Sequence, residues 1–219
     1  MRDSNEGTGR PPAGADLVQA LLEAVAVGDD EAAERAARAC TGQAWLLPAL
    51  RPLLADGDAD RRWWAVRVLA LLDSEEAAPL LIERLHDPDE GVRCAAALGL
   101  GELASTASVP ALVASLADAS GWVRDSAGDA LAQIGASALP ALVAAMQGPD
   151  GVRVRAAAAL RKIVVADLHR LAINQYPPLY GPALTVLFRA LNDPNRLVRH
   201  SAHDALERLG LLETVFFRP

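Results

Sequence analysis

The segment His200-Ser-Ala-His203-Asp204, with Glu207 one helical turn further on, concentrates groups that can ligate a metal or move a proton. On a helix, residues three and four apart share a face, so His200, His203 or Asp204, and Glu207 could converge on one ion. A complete site needs further ligands, and only His86 and His169 remain as histidines. Nucleophilic chemistry has less support. The chain has no Gly-x-Ser-x-Gly elbow, no phosphate-cradling glycine loop and no cysteine beside a histidine. Cys40 and Cys94 stand alone among alanines and read as small core residues in a reducing, cytoplasmic setting. Acidic pairs such as Asp29-Asp30 and Glu75-Glu76 fall in first turns of helices, where negative charge is stabilising in any case. These residues predict no catalytic site, no metal and no cofactor.

A second set of polar residues is periodic. Asp56 and Arg62, Asp87 and Arg93, Asp118 and Arg124, and Asp193 and Arg199 are each six residues apart. Asp29 and Arg35 keep the spacing, whereas Gln147 stands six positions before Arg153. A residue that recurs in every unit serves a need that recurs, which here is stacking. The Asp reads as a cap on the helix that follows, and the Arg as a fork reaching the neighbouring Asp or a turn carbonyl.

The elements that carry this ladder repeat as well. Pro48-Ala-Leu50, Pro110-Ala-Leu112, Pro140-Ala-Leu142 and Pro182-Ala-Leu184 share their wording, with Pro79-Leu-Leu81 a near match. Each unit reads as a first helix opened by proline, a short turn and a second helix. On the second helix, apolar residues fall at relative positions 0, +4, +8 and +11, as in Val92, Ala96, Leu100 and Leu103, and form one stripe. Gly135 follows Ile134 as a C-cap.

Residues 16–40 read as an N-terminal capping pair whose outer faces carry Glu23, Glu31, Glu34 and Arg38. Residues 44–210 hold five repeats with an insertion at 164–181, where Ile163–Ala172 lengthens a helix and Asn174–Gly181 then forms a Pro-rich loop containing Tyr176 and Tyr180. Residues 211–219, with Phe216 and Phe217, read as a C-terminal cap. Residues 1–15 are Gly-, Pro- and polar-rich, lack an apolar signal-peptide core, and read as a disordered tail. The expected fold is all-α, an α-α superhelix (solenoid) of about six stacked antiparallel helix pairs.

Asp87-Pro-Asp-Glu-Gly-Val-Arg93 with Leu100-Gly-Glu-Leu103, Val123-Arg124 through Leu131 and Ile134-Gly135, and Val198–Leu206 with Leu209-Gly210 resemble the HEAT-repeat family. The likeness is greatest to the short-repeat subgroup named after phycobilin lyases and covers roughly residues 16–210. It implies a right-handed superhelix with first helices on the convex side and second helices on the concave side. HEAT-like deoxyhypusine hydroxylases hold two irons through His-Glu dipeptides. This chain contains no such dipeptide, and His200-Ser201 stands in the matching place. The fold itself is nearly silent about function.

Composition agrees with the repeat. Of 219 residues, 45 are Ala and only 4% are aromatic, which favours closely stacked helices over a β-domain. Charges are taken to interrupt every apolar run, so no membrane span is expected. The net charge of -7 argues against general nucleic-acid binding. That total divides into 11 basic and 23 acidic groups in residues 1–150, net -12, and 10 basic and 5 acidic groups in 151–219, net +5.

A protein partner on the concave face is the function expected: an adaptor, scaffold or regulatory subunit without catalysis. The candidate contacts on that face are Trp63, Arg67, Trp122, Asp125, Asp129, Arg161, His200 and His203, with Cys94, Leu98 and Gly101 beside them. Aromatic and Arg side chains are favoured as interface anchors. The alternatives are an enzyme of the phycobilin-lyase or HEAT-like metal-hydroxylase type, and nucleic-acid binding through the basic C-terminal repeats.

Overall fold

Each proline of the repeated words falls within the first three residues of a helix in the computed structural model, which describes residues 14–72, 74, 76–167 and 180–212. The α-helices are α1 (Gly14–Val27), α2 (Asp30–Ala39), α3 (Leu47–Leu50), α4 (Ala59–Leu71), α5 (Ala77–Arg84) and α6 (Glu90–Glu102). They continue with α7 (Val109–Ser115), α8 (Gly121–Ile134), α9 (Leu139–Ala145), α10 (Asp150–Ala166), α11 (Tyr180–Ala190) and α12 (Arg196–Arg208). Among the described residues these form six consecutive pairs and no strand, an all-helical α-α solenoid. The first helices α3, α5, α7 and α9 are short, four to eight residues each. Proline at their N-termini suits the first turn, where its missing N–H has no partner to lose. In the first repeat a further proline, Pro52, follows α3, and only a 3-10 turn at Leu53–Ala55 continues the segment.

The chain forms two compact units, residues 1–77 and 78–219. In the first, α1 and α2 pack as a hairpin and α2 lies against α4. Leu21, Ala33, Ala37, Leu50, Val66 and Leu69 are buried between them. Glu34, expected on an outer face, instead turns toward α4 and meets Arg67 at 3.2 Å. Arg35 pairs with Glu31 at 2.9 Å, and Asp29 caps α2 through the N–H of Ala32, so this pair lies outside the ladder.

In the second unit α6, α8, α10 and α12 stack in order, as do α7, α9 and α11, and α8, α10 and α12 each rest on their own first helix. The expected stripe is the core: Val92, Ala96 and Leu100, and Val123, Ala127 and Leu131, are fully buried. The +11 positions, Leu103 and Ile134, are half-buried because the helix ends there. Gly135 adopts a φ of 76° and its N–H closes on Leu131, as a C-cap should.

Two expectations change. Residues 130–149 carry no charge, so charge does not interrupt every apolar run, and Gly121–Ala145 has the length and mean hydropathy (1.2) of a membrane span. Gly135 breaks that run into α8 and α9, which sit in different layers of the stack. The insertion opens by lengthening a helix, as expected: α10 runs to Ala166 with Ile163 and Val164 buried. Tyr180, expected in a loop, starts α11, is buried, and donates its hydroxyl to Asp167. Residues 1–13, most of the insertion with Tyr176 and His169, and Phe216 and Phe217 lie outside the described residues.

Gly101, expected on the partner face, is buried where α6 meets α8. A Cβ there would stand 2.8 Å from Ala130 Cα, a contact that only a backbone shift relieves. Ala in place of Gly ordinarily stabilises a helix interior by about 1 kcal/mol. Gly101→Ala is expected to reverse that sign and lower stability by roughly 1–3 kcal/mol through overpacking. Gly128→Ala, whose nearest neighbour would be 4.0 Å away, keeps the ordinary gain. Urea unfolding midpoints of the two variants check the pair.

Candidate partner-binding face

The turns between first and second helices are built by the ladder. Asp56, Asp87, Asp118 and Asp193 each accept the N–H two residues on, at 2.8–2.9 Å. The expected capping role therefore moves. Asp58, Asp89 and Asn195, two positions later, accept helix N–H groups, and the ladder Asp instead shapes the turn before them. The arginines close the turn from the other side. Nη1 of Arg62, Arg93, Arg124 and Arg199 each donates to the two carbonyls six and five residues back, at 2.6–3.2 Å.

Arg93 also reaches the next turn. Its Nε and Nη2 hold both oxygens of Asp118 at 2.9 and 3.0 Å, and Arg153 holds Asp193 likewise at 3.1 and 3.2 Å. A planar fork on a planar carboxylate fixes orientation as well as distance. Burial opposes the charged form of Asp118, yet the bonds from Arg93 and the Ser120 N–H outweigh it and hold the carboxyl below its ordinary value. Asp193 is lowered in the same way, by the Asn195 N–H and Arg153 against burial.

The face of the second helices is more self-satisfied than the expected contacts suggest. Arg67 binds Glu34 at 3.2 Å, Arg155 lies 3.2 Å from Asp125, and Arg161 binds Asp204 at 3.0 Å. Lys162 binds Asp129, and Cys94 meets Ser126 at 2.9 Å. Each contact joins one second helix to the next. The signal was present as opposite charges about one repeat apart, 33 residues for two of these pairs. Five candidate contacts (Arg67, Asp125, Asp129, Arg161 and the neighbouring Cys94) thus have partners within the chain.

Among the described residues five large apolar groups remain open, Val27, Trp45, Leu98, Trp122 and Leu197. Trp122 is 77% exposed on the first turn of α8, and Trp45 and Leu197, which the sequence did not single out, are 57% and 52% exposed. Trp63 is half-buried, meets the buried Trp64 edge-to-face at 4.8 Å, and lines a cleft of about 590 Å³ with Val25, Asp30, Glu34 and Asp60. His200 and His203 are exposed, and His203 lies 3.5 Å from Glu207 along the same helix. Asp204 faces Arg161 and Arg208 instead. Among the described residues no three His, Cys, Asp or Glu side chains converge as a metal site would need.

The family model for HEAT repeats matches residues 15–93 and 81–161. The chain belongs to the HEAT-repeat family. No curated protein matches the sequence significantly. Among solved structures, this HEAT-repeat chain is similar to the CpcE–CpcF complex of phycocyanin lyase from Nostoc sp. PCC7120, with 23% identity, a TM-score of 0.48, and coverage of 95% of this chain and 91% of that one. It is also similar to a designed armadillo repeat protein solved with the peptide (KR)4, at 20% identity, TM-score 0.49, and coverage of 88% and 98%. An engineered protein matches at 23% identity, TM-score 0.45, and coverage of 89% and 96%.

The ladder has a pH signature. A carboxyl whose folded pKa is depressed contributes stability above its unfolded value, near pH 4, and loses it as pH falls through the folded value. Asp118→Asn is expected to cost roughly 2–3 kcal/mol at neutral pH, since it leaves Arg93 without its counter-charge in a partly screened site. Its stability should also fall less than wild type below about pH 4. Denaturant titrations across that window check both statements.

Proposed function

We propose that this HEAT-repeat chain is a non-catalytic protein-interaction module, an adaptor, scaffold or regulatory subunit. Its partner docks on the second-helix side of the unit formed by residues 78–219. The observation that supports this reading most is Trp122. A large ring 77% exposed at a helix start contributes nothing to the core, and Trp is favoured as an interface anchor. The polar groups behind it are held in place by ion pairs between helices, which supports a rigid docking surface more than a mobile catalytic centre.

The distribution of charge favours a protein over a nucleic acid. Arg153, Arg161 and Lys162, three of the ten basic residues in 151–219, face Asp193, Asp204 and Asp129. Cations neutralised in this way are poor phosphate contacts.

Trp122→Ala is expected to leave the unfolding midpoint within about 0.5 kcal/mol of wild type, as for other surface substitutions. It should weaken capture of the native partner, identified by affinity purification and mass spectrometry, by about tenfold or more. Unchanged capture removes Trp122 as the anchor. Stoichiometric iron or zinc in the purified protein would overturn the non-catalytic reading.

A further inference from the structure

The ladder within residues 78–219 departs from its pattern once. Arg93 and Arg153 each grip the carboxylate of the following turn with Nε and Nη2. Arg124 stands between them in the stack and is anchored in the same way, with Nη1 on the carbonyls of Asp118 and Ala119 at 2.6 and 2.8 Å. The turn that follows it has Gln147-Gly148 where the other turns have Asp, and Gln147 is exposed. Arg124 Nε and Nη2 therefore donate to no group of the described residues.

Arg124 lines a cavity of about 320 Å³ together with Asp118, Pro149, Gly151, Val152 and Arg155. Arg155 brings a second guanidinium. Its Nη1 donates to Gly151 O at 3.3 Å, while its Nε is buried without a hydrogen bond, off-line from Asp125 at 3.2 Å. The wall opposite Arg124 is the start of α10, whose first turn has no side-chain cap. Of the nearby acids, Asp118 is engaged by Arg93 and Asp150 by Arg153, while Asp125, at 3.2 Å from Arg155 Nε, leaves Arg155 Nη2 unbonded among the described residues. The cavity thus presents two guanidinium groups and a helix N-terminus, all of which favour an anion.

The geometry points to a carboxylate-binding site: an acidic side chain of the partner protein enters between Arg124 and Arg155 and completes the rung that Asp118 and Asp193 complete within the chain. A carboxylate is the committed ligand because the two neighbouring rungs, of the same arginine geometry, each hold one. The inference rests on the protein-partner reading and supplies the chemistry of one contact. Its test uses a synthetic probe, so it stands or falls separately from Trp122 and from the native partner.

In the full-length ¹⁵N-labelled chain, the Arg124 and Arg155 Nε–H signals are expected to shift and saturate with a penta-glutamate peptide but not with penta-glutamine. Gln147→Asp supplies a carboxylate from the chain itself. It should raise the unfolding midpoint, lose that gain in an Arg124→Leu background, and abolish the shifts caused by penta-glutamate. Should Gln147→Asp not fold, Arg124→Leu alone should weaken the Arg155 response by about tenfold, the effect of one charge-assisted contact. Three results would each overturn the site: no shift at Arg124, equal shifts with penta-glutamine, or penta-glutamate shifts that persist in Gln147→Asp. Shifts with inorganic phosphate but not penta-glutamate would overturn it in favour of a phosphate-bearing ligand.

Discussion

A guanidinium that spans its own turn and grips the carboxylate of the next turn is the joint on which the second unit depends. Helix pairs of this kind bury little apolar surface by themselves, so their stability lies in stacking. Apolar contact alone tolerates sliding, because one alanine-lined stripe resembles another. Two parallel N–H to O bonds do not. By holding Asp118 at both oxygens, Arg93 fixes how far one pair is rotated and displaced against the next. The same carboxylate organises the turn ahead of the following helix, so each joint ties local backbone geometry to the spacing of the stack.

The joint between Arg153 and Asp193 spans 40 residues of sequence, compared with 25 between Arg93 and Asp118. Arg153 thus reaches beyond the segment that breaks the sequence period, and α12 packs directly on α10. Tyr180 and Asp167 fasten the two ends of that segment to each other. The period is lost in the sequence at this point, yet the stack continues through it.

Stacking by small residues has a second consequence. When Gly101 lets α6 approach α8 closely, polar side chains further along these helices come within reach of the next helix. The second-helix face then closes over itself in a row of ion pairs, and large groups such as Trp122 are left exposed. The charge asymmetry of -12 and +5 is partly absorbed in the same way, because several cations of the basic end are matched by acids on the neighbouring helix.

Much of this was written in the sequence. The proline words, the six-residue Asp–Arg spacing and the stripe beginning at Val92, Val123 and Val198 determine helix pairs, their order and their buried sides, because these features are local and repeat with the helical period. The tertiary structure decided what the periodic pattern leaves free. It made Asp118 a turn organiser instead of a helix cap, buried Gly101, and turned Arg67, Asp125, Asp129 and Arg161 each toward an opposite charge on a neighbouring helix. It also put Tyr180 in the core and left Arg124 facing a turn without a carboxylate. Those outcomes depend on how closely neighbouring helices approach and at what register. That distance is set by side chains a full repeat apart, and no single helix encodes it.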